Sequence, residues 1–177
     1  YEELRSKVNQ QLAFEGYVLN ENGKFSNIEK ANVISDVELK VENIKQELAG
    51  RNAHAQIFKY CTPELLTNNY FHAVFEANKG LFQRIRDLSG LTSDGTSLIE
   101  QVFSSNPILI INGFQTKQEK DEHVGFCNIL KGLCGMFRNP EAHQPKIYWN
   151  IEEQDALEIL GLISYCHRRL DNAQRIR

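Results

Sequence analysis

Two long stretches of helical periodicity flank a polar interruption, Phe137-Arg138-Asn139-Pro140-Glu141-Ala142-His143. That interruption restricts the chain to folds in which two helices meet at a broken junction. From Glu122 to Phe137, apolar residues recur at three- and four-residue steps through Val124, Cys127, Ile129/Leu130, Leu133/Cys134 and Phe137. From Ile151 to Ala173 the same pattern runs through Ala156/Leu157, Leu160, Ile163, His167 and Leu170. Such spacing lines one face of a helix. Pro140 cannot continue the first helix, because it lacks an N–H and its ring clashes with the preceding turn. It suits the first position of a short new turn capped by Asn139. Arg138 and His143 are therefore expected on either side of the break, close together and near solvent.

The two groups have complementary chemistry. A guanidinium presents a planar fork of donors that fits a phosphate. An imidazole titrates near neutrality and can carry a proton to or from a reacting oxygen. Together they suit cleavage of a phosphodiester by its own 2′-OH, with no metal required. Spacing alone equally allows a helix-terminating loop, with Arg138 capping carbonyls and His143 stacked on a neighbour.

The chain has 177 residues, which fits one domain plus a small appendage. Its 41% hydrophobic and 24% charged content is that of a soluble globular protein. No apolar run approaches membrane-spanning length, and no signal-peptide pattern is present. The opening residue is Tyr1, which points to a fragment of something longer. Cys61, Cys127, Cys134 and Cys166 form no C-x-x-C pair and fall mostly on apolar faces, as expected for buried thiols in a reduced, cytoplasmic protein. Net charge is −3, which argues against a broadly basic nucleic-acid-binding surface. Residues 138–177 balance six basic side chains (Arg138, Lys146, Arg168, Arg169, Arg175, Arg177) against six acidic ones (Glu141, Glu152, Glu153, Asp155, Glu158, Asp171). Any RNA contact is therefore expected to be a local cleft, weak in isolation and shallow in its salt dependence.

Leu4, Val8 and Leu12 place a weak amphipathic helix over residues 1–16, stopped by Gly16. Asn20-Glu21-Asn22-Gly23 between Tyr17-Val18-Leu19 and Lys24-Phe25 signals a hairpin. Residues 36–50 read as a helix with a seam of Val37, Val41, Ile44 and Leu48, suited to another helix or a dimer partner, and with Gly50 as its stop. Thr62-Pro63-Glu64 looks like a helix start. The strongest helix spans about Asn69 to Leu88, with Phe71, Val74/Phe75, Asn78, Leu81/Phe82, Ile85 and Leu88 as its stripe. A turn-rich loop covers Ser89 to Gly95, a short helix Ser97 to Phe103, and Pro107 to Ile111 is either a strand or a buried turn. Residues 112–123 are polar and charged, and are expected to be a mobile loop over the cleft. His123 and Cys127 share a helix face but lack the further ligands a zinc site needs, so no metal is expected. Gly132 and Gly135, inside a helix, suit close approach of another helix, from this chain or a second subunit. His167 on the apolar stripe reads as a core residue.

The stretches HAQIFKYCTPELLTNNYFHAVFEANKGLFQRIRDLSGL, GFCNILKGLCGMFRNPEAH and QDALEILGLISYCHRRLD span His54 to Asp171. In order and spacing they resemble the Ymh-type branch of the HEPN superfamily, and Arg138-Asn139-Pro140-Glu141-Ala142-His143 resembles that superfamily's R-x(4)-H signature. The resemblance implies a mainly α fold: a HEPN-like helical bundle over residues 36–177, with a small helix-plus-hairpin appendage over 1–35. It implies a metal-independent endoribonuclease without a cofactor, usually a homodimer, in bacterial anti-phage defence or a toxin system with a larger complex or an inhibitory partner. The alternative it leaves is an inactive module that binds a nucleotide or docks a larger complex. In the active case Arg138, Asn139 and His143 are catalytic and Glu141 supports them. Glu76 and Lys79, at polar positions of the family pattern, either orient His143 or hold a phosphate, or else form a plain surface ion pair. His54 falls where the pattern also has a His and reads as a structural cap.

Overall fold

The structure, a computed structural model, describes residues 5, 8, 9, 12, 17–20, 22–27, 31–63, 70–137 and 151–177, with the backbone alone for 31–37. In chain order the elements are β1 (Tyr17–Leu19), β2 (Phe25–Asn27), α1 (Ala31–Gly50), α2 (Ala55–Phe58), α3 (Phe71–Ser89), α4 (Gly95–Phe103), β3 (Leu109–Ile110), α5 (Lys117–Phe137), α6 (Glu153–Asp171) and β4 (Gln174–Arg175). The fold is mainly helical with a small N-terminal hairpin, as expected. It divides into two compact units, Tyr1–Asn43 and Ile44–Arg177.

In the first unit, β1 and β2 pair antiparallel, with Leu19 opposite Phe25. Gly23, at φ 71°, donates its N–H to the Asn20 carbonyl (2.9 Å) and closes the Asn-Gly turn that the sequence signals. Arg5, Val8, Asn9 and Leu12 are helical. The Asn9 amide reads both backbone groups of Leu19: its Nδ2 donates to the carbonyl (3.1 Å) and its Oδ1 accepts the N–H (2.7 Å). One side chain thereby satisfies two groups on the strand that would otherwise be open.

α1 begins at Ala31, five residues before the expected start, because nothing between Ala31 and Ser35 breaks a helix. Of its expected seam, Ile44 and Leu48 are fully buried and Val41 is 7% exposed; Val37's side chain lies outside the described residues. Gly50 is not the stop. Asn52 takes the left-handed conformation (φ 52°), Ala53 N–H donates to Leu48 O (2.9 Å) and Asn52 N–H to Ala49 O (3.0 Å). This pair of bonds is a Schellman ending with Asn at the position where Gly is commoner.

α3 is the centre of the second unit and packs against α2, α4, α5 and α6. Its buried face carries Phe71, Ala73, Val74, Phe75, Ala77, Asn78, Leu81, Phe82 and Ile85, matching the expected stripe. Leu88 is half-buried, and Ser89 closes the buried face instead. Gly90, at φ 73°, ends the helix. α4 starts at Gly95, two residues early, because the Asp94 carboxylate caps it through Gly95 N–H (2.9 Å). Pro107–Ile111 contains a strand: Leu109 and Ile110 pair antiparallel with Arg175 and Gln174. Helix α6 ends at Asp171, two residues before the expected Ala173, and β4 follows it.

Only residues 112–116 of the charged stretch 112–123 lie outside a helix. Helix α5 starts at Lys117, and residues Thr116 to Glu119 form a capping box. Thr116 Oγ1 accepts from Glu119 N (3.2 Å), while Glu119 Oε2 accepts from Thr116 N (2.9 Å) and Gln115 N (3.0 Å). Those backbone donors hold the Glu119 carboxyl below its usual range. The short segment before it is pinned as well. Asn112 Nδ2 donates to Glu119 O and Glu122 Oε2 (both 2.8 Å), and the Phe114 ring packs edge-on against His123 (centroids 5.0 Å apart).

Among the described residues, Gly132 and Gly135 mark no helix crossing. Both are exposed, and an added Cβ at either would meet nothing within 4 Å. A closely approached glycine is Gly80, where a Cβ would collide with the Tyr60 hydroxyl. Opposite effects are expected at the two kinds of position. Gly132→Ala gains helix propensity and raises stability by about 1 kcal/mol. Gly80→Ala gains the same propensity but must displace Tyr60, and loses about 1–3 kcal/mol net, relieved when combined with Tyr60→Ala. Urea denaturation checks the signs, and a stabilising Gly80→Ala would contradict the packing.

Candidate functional site

The junction itself, with Arg138, Asn139, Glu141 and His143, lies outside the described residues. Its frame does not. Phe137, the last residue of α5, is 6% exposed, and Ile151, just before α6, is 4% exposed. Asn78 of α3 donates through Nδ2 to Leu133 O (3.2 Å), one turn before Phe137. At the start of α3, Tyr70 N–H donates to Ile151 O (3.4 Å) and Tyr70 Oη to Glu153 Oε2 (2.7 Å). The Glu153 bond and burial push the Tyr70 phenol up to about 12, burial contributing most. Helix α3 therefore grips the chain on both sides of residues 138–150.

Glu76 and Lys79 pair with each other across 2.8 Å, and Lys79 Nζ sits 4.4 Å from the centre of the Phe75 ring. Their side chains are 39% and 51% exposed. Two helical residues span about 200°, so Glu76 points roughly away from the face on which Asn78 meets α5. Tyr60 lies near Glu76, whose charge adds to burial in raising the phenol's pKa.

One polar cluster of the second unit is one that sequence spacing did not reveal. Asp171, at the end of α6, accepts from Arg84 Nη2 of α3 (2.6 Å) and lies 3.2 Å from His54 Nε2 at the start of α2. His54 caps α2, its Nδ1 accepting from Gln56 N (3.1 Å). That bond places the ring proton on Nε2, facing Asp171. The His54 ring stacks on His167 (centroids 5.1 Å apart, 14° between planes). Arg84 Nη1 donates to His167 O (3.1 Å) and faces His167 Nδ1 (3.3 Å), which must accept because a guanidinium only donates. Ser164 Oγ accepts from His54 N (2.7 Å) and Arg168 Nη1 (2.8 Å). Arg84 holds the Asp171 carboxyl below its usual range, with His54 adding to the effect.

The expected roles of His54 and His167 both hold: His54 is a cap, and His167, 1% exposed, is a core residue. Both nitrogens of His54 are engaged, so the His–Asp pair has no free nitrogen for acid–base work. The cluster is a clasp joining α2, α3 and α6.

His123 is also buried. Burial pushes its pKa down, and the Phe103 carbonyl opposes this slightly without reaching hydrogen-bond geometry. Its ring lies among Phe103 and Phe114. Burial pushes the Cys61 thiol up to about 11 and the Cys166 thiol to about 12, so neither is a nucleophile near neutrality. Among the described residues, no cluster of three or more His, Cys, Asp or Glu is placed to hold a metal ion.

Burial, followed by the charges of His54 and Arg84, pushes the His167 imidazole down to about 4. The unfolded chain binds the proton near the usual imidazole value of 6.5 and the folded chain only near 4. The fold is therefore at full stability above that upper value and loses stability as pH falls toward the lower one, by on the order of 3 kcal/mol. His167→Gln keeps an acceptor for Arg84 and removes the titration. Urea midpoints at about pH 7 and about pH 4.5 should fall less for this variant than for wild type. Equal falls would assign the acid sensitivity to other groups.

No curated protein and no solved structure matches the chain. A family model described as a protein of unknown function, Hypoth_ymh, matches residues 51–170. The match opens at the Schellman turn after α1 and closes one residue before Asp171, so it covers the clasp's His54, Arg84 and His167 and the whole junction. The chain belongs to the Hypoth_ymh family.

Proposed function

We propose that this protein is a metal-independent endoribonuclease acting at Arg138-Asn139-Pro140-Glu141-Ala142-His143. The observation that carries the reading is the residue chemistry of that junction, set between two helix ends anchored by buried Phe137 and Ile151. The resemblance to HEPN ribonucleases supports it.

His143 acts on a proton, as general base on the ribose 2′-OH or general acid on the departing 5′ oxygen. Arg138 holds the non-bridging oxygens as negative charge grows on them, and Asn139 orients one. The products are a 2′,3′-cyclic phosphate and a 5′-OH. A single imidazole cannot serve both sides of an in-line displacement, so the working enzyme is a two-fold dimer with one His143 from each subunit. Glu141 supports the loop, and Glu76 and Lys79 act as an outer ion pair. The setting is bacterial anti-phage defence or a toxin system, in the cytoplasm. Four free, buried cysteines fit a reducing compartment. No helix among the described residues is long and apolar enough to cross a membrane.

The net charge of −3 favours a second reading, an inactive helical module that docks a larger complex or binds a nucleotide. Incubation with total RNA separates the two. Wild type should cleave in excess EDTA and leave cyclic phosphate ends. His143→Ala and Arg138→Ala should each lose at least about 100-fold in rate with the fold intact. A strict Mg²⁺ requirement, or undiminished cleavage by either variant, would remove the mechanism. Absence of cleavage with retained partner binding would establish the docking module.

A further inference from the structure

An open groove of about 680 Å³ lies between the end of α3, the outer face of α4 and the C-terminal strand β4. Its volume is in the range of ligand-binding clefts. Two guanidiniums, Arg175 and Arg177, line it together with the hydroxyls of Ser89, Ser97 and Ser104. Glu100 is the carboxylate in the lining, and it is paired with Lys131 at 3.0 Å. The charge presented to a ligand is therefore positive in a chain whose net charge is −3.

Arg175 is held in place. Its backbone pairs with Leu109 in the β3–β4 ribbon, and its Nε donates to Arg177 O (2.8 Å). Its guanidinium lies on Gly90, where a Cβ would stand 3.2 Å from Nη1. Gly90 thus serves twice, as the left-handed stop of α3 and as the bare surface on which the guanidinium rests. Among the described residues the two Nη groups of Arg175 have no acceptor. Arg177 differs, because its Nε and Nη2 bind the carbonyls of Pro107 and Asn106. Ser97 Oγ accepts from Gln101 Nε2 (3.0 Å), which leaves its proton free to donate. Fixed guanidinium donors beside free hydroxyl donors are what a phosphodiester oxygen needs.

The groove also borders the junction's helix. Thr96 Oγ1, next to Ser97, lies 3.8 Å from Cys134 Sγ in the last turn of α5. Arg138 is four residues beyond Cys134 in the chain, so covalent reach keeps it within a few residues' length of that contact. We infer that this groove binds the phosphate backbone of the RNA substrate, with Arg175 as its principal contact. The RNA identity rests on the ribonuclease reading; the phosphate chemistry rests on the groove.

Binding is measured by anisotropy of a labelled single-stranded RNA, in the His143→Ala protein so that substrate is not consumed. Arg175→Gln should weaken binding by about 5- to 20-fold and reduce the salt slope by about 0.7, one phosphate contact's worth for a single strand. Arg175→Lys should recover most of the affinity, and Ser97→Ala, on a different element, should weaken it about two- to threefold. Affinity and slope unchanged in Arg175→Gln would overturn the groove. Inorganic phosphate that stabilises the protein through Arg175 while RNA fails to bind would overturn the RNA assignment. Arg175-dependent RNA binding without cleavage by wild type would leave the groove standing and remove the nuclease. Cleavage with KM and binding unchanged in Arg175→Gln would do the reverse.

Discussion

A single carboxylate at the end of the last long helix closes the second unit. Asp171 draws Arg84 from α3 and His54 from the start of α2, and Arg84 in turn covers the C-terminal turn of α6 through the His167 carbonyl. An isolated surface ion pair contributes little, typically under about 1 kcal/mol. This one belongs to a network in which a cap, a stacked imidazole pair and a Ser hydroxyl share the same few atoms, and such networks couple more strongly than their separate pairs. Losing Asp171 would leave Arg84 and His54 without their shared acceptor, above a buried neutral His167.

That clasp also determines what the rest of the unit can do. With α3 fixed to α6 at one end, the other end of α3 is free to hold the two ends of the junction, through Tyr70 and Asn78. Fully buried Leu81 and Phe82 lie between these two places, and Ile85 just beyond Arg84. Each contributes roughly 1.5–3 kcal/mol by leaving water. The chemistry proposed for the junction would need such a frame, because small displacements of positioning groups are costly in rate. The helix that looks most ordinary in sequence, amphipathic and uninterrupted, is the one that sets the junction's spacing.

What could be seen in the sequence follows from the range of each interaction. The α3 stripe, the Asn-Gly hairpin and the turn-rich segment 89–95 are local patterns, visible within a window of a few residues. The start of α5 was also local, but the Thr116–Glu119 capping box lay hidden in a run of charges that resembles a loop. β3 and β4 are two residues each, too short to show alternation, and their pairing joins Leu109 to Arg175, distant in the chain. The clasp was invisible for the same reason, since His54 and Asp171 stand 117 positions apart. His54 and His167 could be assigned structural roles singly, but nothing local indicated that they stack. The junction is the opposite case: its chemistry is legible in seven consecutive residues, and its neighbours in space are not.

The charge balance unites these observations. An acidic chain repels polyanions at long range, so a nucleic acid must be held by a few well-placed cations and not by a diffuse field. Most of the described arginines of the second unit are already committed: Arg84 to Asp171, Arg86 to Asp94, Arg169 to Glu122, and Arg168 to Ser164 and Asn52. Arg175 stands apart because the ribbon holds its backbone while its outer donors point into an open groove. Neutralised elsewhere and concentrated there, the positive charge would act by contact geometry. A protein built this way would bind its anion weakly and locally, releasing it readily after each turnover, which suits an enzyme better than a tight nucleic-acid-binding module.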